Sequence, residues 1–417
     1  MQVEKILGGG YESIGTFETG WNDGAITDVL TAKFDQTYMA YSIRFTFDKW
    51  SYANELELFQ YVRDDGTEPE PVLVGASYSI HLIEPWALRT NLQFARDTTD
   101  NLIPVSEFTA YGAYAIISNK FEGSTVEELL ADEDTVHYSS ALGNISAVNE
   151  NTLTFEFYDG LYSYNLGEDV FWVAYFQNAD GTYFTDIQGK SLVGVADALL
   201  ASEKVSEGEK AILSSMKVLK DSVIALRGSN ADLGHTYEPG ESLTPGSFGA
   251  AGAAGTYRFG TSYKIRLIEP WSIRVRLFVQ ETATGENIDS KADNIQTGMI
   301  FYHDKSGAYG GEMTVEQIIN EAGAKVYSSD IGNVEVKSGG IMAAYSEDIY
   351  TYQLDTELYC LTYVVVDGTY YYSSSVLCWN ILAEMQAFSQ NEDLTAEERA
   401  VFAAMLQLYE DTMAHRS

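Results

Sequence analysis

Five histidines, His81, His137, His235, His303 and His415, are the first residues to test for acid–base or metal chemistry. Two histidines a helical turn apart, with a glutamate between them, would hold a hydrolytic zinc. A histidine in register with a serine or cysteine would activate a nucleophile. None of the five lies in an HExxH, Cys-His or Ser-His pattern, and no two have metal-ligand spacing. No nucleophile elbow, phosphate loop or dinucleotide fingerprint stands in a strand-to-helix context, and Gly8-Gly9-Gly10 is a glycine run too short to cradle a phosphate. The acidic loops at Asp97–Asp100, Asp180 and Asn391–Asp393 do not follow the calcium-loop spacing and read as solvated turns. Paired acids for glycoside chemistry can be drawn from 61 Asp and Glu residues, but the sequence singles out no pair. The expectation is therefore no catalytic residue, no metal and no cofactor.

Binding chemistry is better represented. Tyr350, Tyr352, Tyr359, Tyr363, Tyr370, Tyr371 and Tyr372 crowd neighbouring extended segments. Exposed on a flat sheet, Tyr359, Tyr363 and Tyr371 would stack on sugar rings or form a protein interface. The alternative is that alternate tyrosines fill a core and the rest lie cross-strand on a solvated face. Lys264, Arg266, Arg274 and Arg276 form the one basic stripe in an acidic chain. It is a candidate surface for an acidic neighbour such as another subunit; the alternative is local ion pairing with nearby carboxylates.

These candidates sit on or near a stretch that the chain uses twice. Residues 77–94 read SYSIHLIEPWALRTNLQF and residues 262–279 read SYKIRLIEPWSIRVRLFV, identical at ten of eighteen positions and 185 residues apart. A match at this fixed distance is an internal duplication. After the proline, Trp86, Leu88, Leu92 and Phe94 alternate with Arg89, Asn91 and Gln93. Trp271, Ile273, Val275, Leu277 and Val279 alternate likewise with Arg274 and Arg276. Period two means a half-buried strand. Pro85 and Pro270 lack an N–H, which places each at an edge, a bulge or the start of that strand, behind a shorter extended segment. Glu-Pro-Trp reads either as a ligand site, with Trp86 and Trp271 as platforms, or as a bend whose tryptophan anchors the core. The first-copy counterparts of the basic stripe are Ser79, His81, Arg89 and Asn91, so the stripe belongs to the second copy alone.

The chain has 417 residues, of which 45% are hydrophobic and 13% aromatic, enough for two or three folded domains. Its 25 Lys and Arg against 61 Asp and Glu leave a formal charge of −36. That charge argues against sequence-independent nucleic-acid binding and against anionic membranes. No apolar run is long enough to span a bilayer, and the N-terminal residues carry no secretory apolar core. The expectation is a protein made without Sec export, or a mature or truncated piece. Cys360 and Cys378 both lie in the second copy; the Asp367-Gly368 turn places Cys360 opposite Ser375, out of register with Cys378, and both read as small apolar fillers.

Taken in order, residues 1–75 are expected to form a small N-terminal β attachment domain with strands near Tyr38–Phe47 and Leu56–Val62. Residues 76–228 form repeat 1, 229–260 a Gly/Ala/Pro linker, and 261–417 repeat 2. Thr125–Glu128 and Thr314–Gln317 are capping boxes that open a short inserted helix in each copy. Asn178–Gly181 and Asp367-Gly368 mark hairpins. Ser206–Glu209 and Thr395–Glu398 open final helices whose apolar stripes are Ile212, Met216, Leu219, Val223 and Leu226, and Val401, Met405 and Leu408. The fold class is mainly β with some α: two tandem sandwich-like repeats, each with a short inserted helix and a C-terminal helical hairpin.

The hairpin ending DGTYYYS (367–373), followed by a short helix and a capped second helix, resembles immunoglobulin- or fibronectin-like repeat modules of surface and secreted proteins of gut Clostridia, or of the phages that infect them. The resemblance covers the last 60 or so residues of each repeat, and the chain departs from it at Leu408-Tyr-Glu-Asp-Thr-Met. It implies a non-enzymatic structural or attachment protein at a virion or cell surface, with protein partners or self-assembly. A tandem carbohydrate-binding protein recognising surface glycans is the alternative, and a glycan-active enzyme the third reading.

Overall fold

A computed structural model describes residues 2–6, 11–16, 42–46, 72–96, 102–121, 123–139, 145–179, 181–229, 252–267, 271–337, 340–346 and 349–416. The chain divides into two compact units, Met1–Pro71 with Arg96–Asn101, and Val72–Ala95 with Leu102–Ser417. The first contains an antiparallel sheet of β1 (Gln2–Ile6), β2 (Tyr11–Thr16) and β3 (Ser42–Thr46) in the order β2-β1-β3. β3 falls within the expected Tyr38–Phe47 strand. The segment expected over Leu56–Val62 lies outside the described residues.

The second unit holds both repeats. Repeat 1 runs β4 (Val72–His81), β5 (Ala87–Ala95), β6 (Ala110–Ile117), α1 (Val126–Ala131), β7 (Val136–Ser139), β8 (Ile145–Asn149), β9 (Thr152–Phe157), β10 (Asp169–Gln177), β11 (Thr182–Phe184), β12 (Gln188–Ser191), α2 (Leu192–Leu200) and α3 (Glu207–Ser229). Repeat 2 follows the same order with β13 (Tyr257–Arg266), β14 (Ser272–Glu281), β15 (Ile295–Asp304), α4 (Val315–Asn320), β16 (Lys325–Ser328), β17 (Glu335–Lys337), β18 (Gly340–Tyr345), β19 (Glu357–Val366), β20 (Thr369–Tyr372), β21 (Leu377–Asn380), α5 (Ile381–Ser389) and α6 (Ala396–Arg416). Each repeat is two facing antiparallel sheets. Their orders are β4-β5-β9-β8 and β11-β10-β6-β7, then β13-β14-β18-β17 and β20-β19-β15-β16. β12 and β21 pair with the free ends of β10 and β19. Strands therefore begin at Val72 and Tyr257, a few residues before the expected repeat boundaries at 76 and 261.

The duplicated stretch is a β-hairpin. β4 and β5 pair antiparallel, Ile80 opposite Leu88 and Tyr78 opposite Thr90, across a turn containing a cis Glu84–Pro85 bond. This corrects the expectation of a short segment, a bend and a longer strand: β4 is ten residues long and Pro85 sits in the turn. Pro270 lies outside the described residues. Period-two alternation then does what it implies. Trp86, Leu88, Leu92 and Phe94 are buried, as are Trp271, Ile273, Val275, Leu277 and Val279, so both tryptophans are core anchors. In repeat 1 the two sheets meet through contacts such as Phe94–Phe176, with ring centroids 5.0 Å apart, and Phe157–Trp172, at 5.9 Å.

The inserted helices form as their capping boxes direct, with Thr125 and Thr314 accepting from the third helical N–H. Six residues cannot sustain a helix alone, so each depends on packing. Leu129 of α1 packs with Ile116 and Val173 on the outer face of one sheet, and Ile318 of α4 packs with Ile300, Tyr359, Leu361 and Tyr363 on the corresponding face in repeat 2. β10 and β19 are thus covered on both faces. The run Leu358–Val365, apolar or aromatic except for Thr362, is buried throughout, as a central, two-sided strand requires. The hairpin turn after β19 has Asp367 at φ 48° and Gly368 at φ 76°, the paired positive φ values of a type I′ turn.

The two repeats are joined through their cores. The stripe Ile212, Met216, Leu219, Val223 and Leu226 of α3 is fully buried, together with Val401, Met405 and Leu408 of α6, in one apolar cluster spanning both sandwiches. Ser215 donates to the Asp411 carboxylate across the α3–α6 contact, and Gly208 lies where a Cβ would come within 3.2 Å of His415 Nδ1. The early part of α3 therefore meets the end of α6.

Candidate interaction surface

The basic stripe lies on the outer face of the β13-β14-β18-β17 sheet. Lys264 is opposite Arg274, Ser262 opposite Arg276, and Arg266 opposite Ser272. Alternation puts these side chains outside because Ile265, Ile273, Val275 and Leu277 face the core. The four cations do not share one environment. Lys264 is exposed, Arg274 and Arg276 are half-buried, and Arg266 retains only 7% of its accessible surface. Burial lowers the Arg274 pKa while Glu335 on β17 opposes the shift; burial and then Arg274 lower that of Arg266, against the influence of Tyr164 and Tyr162. The Arg276 guanidinium sits 4.5 Å from the Phe278 ring centroid. Arg266 thus turns toward repeat 1 and does not belong to an open surface, which removes it from the candidate surface of Lys264, Arg266, Arg274 and Arg276.

The same position in repeat 1 is neutralised. Arg89 Nε donates to Glu156 Oε1 at 2.7 Å, from cross-strand neighbours on β5 and β9. In repeat 2 the place of Glu156 opposite Arg274 is taken by Ala344. The copies share a backbone and place the carboxylate that acts on this arginine differently, on Glu156 across from Arg89 in repeat 1 and on Glu335 of β17 in repeat 2.

The tyrosine face is corrected. Tyr359 and Tyr363 are at most 1% exposed, under α4, and offer no platform to a sugar. Tyr359 Oη donates to Glu357 Oε2 at 2.7 Å and accepts from Gly311 N–H at 2.9 Å. Burial raises both phenol pKa values. Tyr370 and Tyr372 lean on Tyr363, with ring centroids 5.7 and 6.2 Å from it. Tyr371 points the other way and meets Tyr257 of β13 edge-on at 4.7 Å. Of the candidates Tyr359, Tyr363 and Tyr371, Tyr371 alone keeps partial exposure. The sequence could have warned of this, because Leu358–Val366 has no polar alternation.

Of the cysteines, Cys360 is buried and Cys378 exposed, and both are free. Cys360 pairs with Leu377 and Cys378 with Tyr359, so adjacent strands carry the thiols to opposite faces. Cys378 is therefore no core filler, and β21, not the far strand of the hairpin, stands opposite Cys360. Among the described residues no group of His, Cys, Asp and Glu is arranged to hold a metal. His303 bonds Thr356 Oγ1 at 2.6 Å, and His137 bonds Tyr175 Oη at 2.9 Å while stacked on Tyr114. His235 lies outside the described residues.

A constellation not found by pattern reading sits at the repeat junction. Glu84, in the hairpin turn of repeat 1, accepts hydrogen bonds from both the backbone N–H and the hydroxyl of Thr351 in repeat 2. It is 7% exposed, and burial pushes its pKa up to about 7 against the opposing pull of those two bonds. Thr351 begins a 3₁₀ turn, Thr351–Gln353, whose counterpart in repeat 1 is Ser163–Asn165. Beside these turns Tyr162 and Tyr164 stack at 5.5 Å, and Tyr350 and Tyr352 at 5.7 Å. Arg227 at the end of α3 covers Tyr164 at 4.4 Å, and Arg416 at the end of α6 covers Tyr352 at 4.9 Å. The signal was a second duplicated motif, Tyr162-Ser-Tyr164-Asn-Leu166 and Tyr350-Thr-Tyr352-Gln-Leu354.

No protein-family model matches the chain, and no curated protein matches it. Two solved structures align over much of it. MtrC from Shewanella baltica OS185 aligns over 70% of this chain and 65% of its own length, with 8% identity and a TM-score of 0.17. The chicken CNTN1 FN1-FN3 domains align over 75% of this chain and 99% of their own, with 9% identity and a TM-score of 0.16. The mainly-β sandwich assignment rests on the sheets described above. No helix among the described residues is long and apolar enough to cross a membrane.

Proposed function

We propose that this chain is a non-enzymatic structural or attachment protein, displayed on a virion or bacterial cell surface, that holds two β-sandwiches in a fixed mutual arrangement. The observation that carries the reading is the junction. Two modules on a flexible linker would each close their own core. Here α3 and α6 bury their stripes together, and Glu84 reaches across to Thr351. An interface that continues a hydrophobic core resists relative domain motion, which suits a spacer or scaffold. Joining the repeats at their cores while changing the outer sheet face, from Ser79 opposite Arg89 to the exposed Lys264 opposite Arg274, suits a scaffold whose two copies meet different neighbours.

A tandem glycan-binding protein is the second reading. It loses Tyr359 and Tyr363 and would draw instead on the half-buried pairs Tyr162–Tyr164 and Tyr350–Tyr352. Light scattering of the full chain across concentration, at low and moderate salt, tests the first reading, with binding to whole bacterial cells as the companion measurement. A defined assembly or saturable cell binding is expected. A monomer at every concentration that binds no cells overturns the structural reading, and glycan-dependent quenching of tyrosine or tryptophan fluorescence would then favour the second.

A further inference from the structure

The outer sheet of each sandwich ends on one long edge strand, β4 in repeat 1 and β13 in repeat 2. An uncovered edge presents a row of unpaired N–H and C=O groups, and proteins normally blunt it with a bulge, a proline or a covering element. β4 is blunted: its register breaks between Leu73 and Gly75, and α2 lies against it. β13 is not. Its ten residues pair with β14 in unbroken register from Tyr257–Glu281 to Arg266–Ser272, and among the described residues no strand pairs with its other side. It is also firmly held, since Tyr257, Phe259 and Ile265 pack on the core and Tyr263 Oη donates to Glu384 Oε2 at 2.7 Å. On the opposite, outward row stand Arg258, Ser262 and Lys264, all exposed. Neither Arg258 nor Lys264 has an ion-pair partner among the described residues, in a chain whose formal charge is −36.

We infer that β13 is a docking edge for an extended, acidic polypeptide segment of a partner, which adds to the β13-β14-β18-β17 sheet as a further antiparallel or parallel strand. Main-chain pairing along residues 257–264, short of Arg266 where the strand meets repeat 1, supplies the binding, and the outward row selects the partner by charge. Cross-strand neighbours of opposite charge stabilise a sheet and like charges destabilise it, so a segment carrying Asp or Glu on its outward row fits against Arg258 and Lys264 where a basic one does not. A second copy of β13 itself is disfavoured for the same reason, because it brings the same cations to the new edge. The inference deepens the scaffold reading by naming the class of its partner, and rests on it for that partner being a polypeptide.

The test uses the full chain and two soluble ten-residue peptides, one alternating glutamate with threonine and one alternating lysine with threonine. Amide hydrogen exchange is followed over residues 257–266. The glutamate peptide is expected to slow exchange there in a saturable way and the lysine peptide to leave it unchanged. Combining Arg258→Glu with Lys264→Glu should weaken that protection about tenfold through two reversed cross-strand pairs, with an unfolding midpoint equal to that of the parent. Should the double variant lose its fold, Lys264→Gln carries the same comparison with a smaller loss. Unchanged exchange with both peptides, equal slowing by both, or protection that falls outside 257–266 would each overturn the inference. None of these outcomes would alter the light-scattering and cell-binding results, so failure of the edge and failure of the scaffold reading remain distinguishable.

Discussion

Glu84 offers the sharpest quantitative test of how the repeats are joined. In the unfolded chain its carboxyl releases its proton near 4.5; in the folded protein burial raises that value to about 7. Between those two pH values the folded state binds more protons than the unfolded one, so stability is greatest below the unfolded value and is lost as pH rises through the folded one. A shift of that size corresponds to about 3 kcal/mol at roughly 1.4 kcal/mol per unit. Of this, about 2 kcal/mol falls between pH 5.5 and 8 by the same linkage relation, a range that avoids the isoelectric point near 4.3. Glu84→Gln keeps an oxygen that can accept from Thr351 and cannot ionise. Urea unfolding of parent and variant at intervals across that range isolates this one group, because every other titrating carboxylate cancels in the difference. The variant should gain on the parent by about 2 kcal/mol as pH rises from 5.5 to 8, whatever constant offset the amide N–H introduces. Thr351→Val removes a hydroxyl donor that holds the Glu84 pKa down, so the parent's decline should move to higher pH. Parallel stability curves for parent and Glu84→Gln, or a variant that falls behind as pH rises, would refute the claim that a buried carboxyl spans the junction.

Three further outcomes follow from the packing. Gly298 lies opposite Tyr363, and a Cβ there would come within 2.7 Å of the Tyr327 carbonyl oxygen, so Gly298→Ala should destabilise the chain by roughly 3 kcal/mol in denaturant unfolding, at the upper end for overpacking. Thr395 accepts from the Glu398 N–H at 3.2 Å at the start of α6, and Thr395→Ala should cost about 1 kcal/mol in the same assay. A thiol-specific chromogenic reagent should titrate one cysteine in the native chain, the exposed Cys378, and a second, the buried Cys360, only on unfolding; two fast native thiols would contradict the placement of β19 between two packed layers.

Local rules carried the sequence a long way here, and the residues show where they stop. The hairpin turns, the capping boxes and the stripes of α3 and α6 all depend on neighbours a few positions apart, and each formed as its pattern implies. The tyrosines of β19 were harder, because an edge-lying aromatic ladder and a central strand roofed by a helix contain the same residue types. What separates them is the absence of polar alternation from Leu358 to Val365, together with a six-residue helix that cannot stand without something beneath it. The junction was harder still. In a duplicated chain, a residue kept in both copies can serve either its own copy or the other one, and a one-dimensional match cannot distinguish the two. Glu84 is repeated as Glu269, and Thr351 stands where repeat 1 has Ser163. Only the fold shows that Glu84 and Thr351 are partners, 267 positions apart. In the first copy of Leu-Ile-Glu-Pro-Trp the acceptor role of Glu84 is spent inside the molecule, on Thr351. The selectable differences between the copies lie where the repeat is free to drift, on the outward rows of the first sheet, where Arg89 has Glu156 and Arg274 has Ala344 across from it.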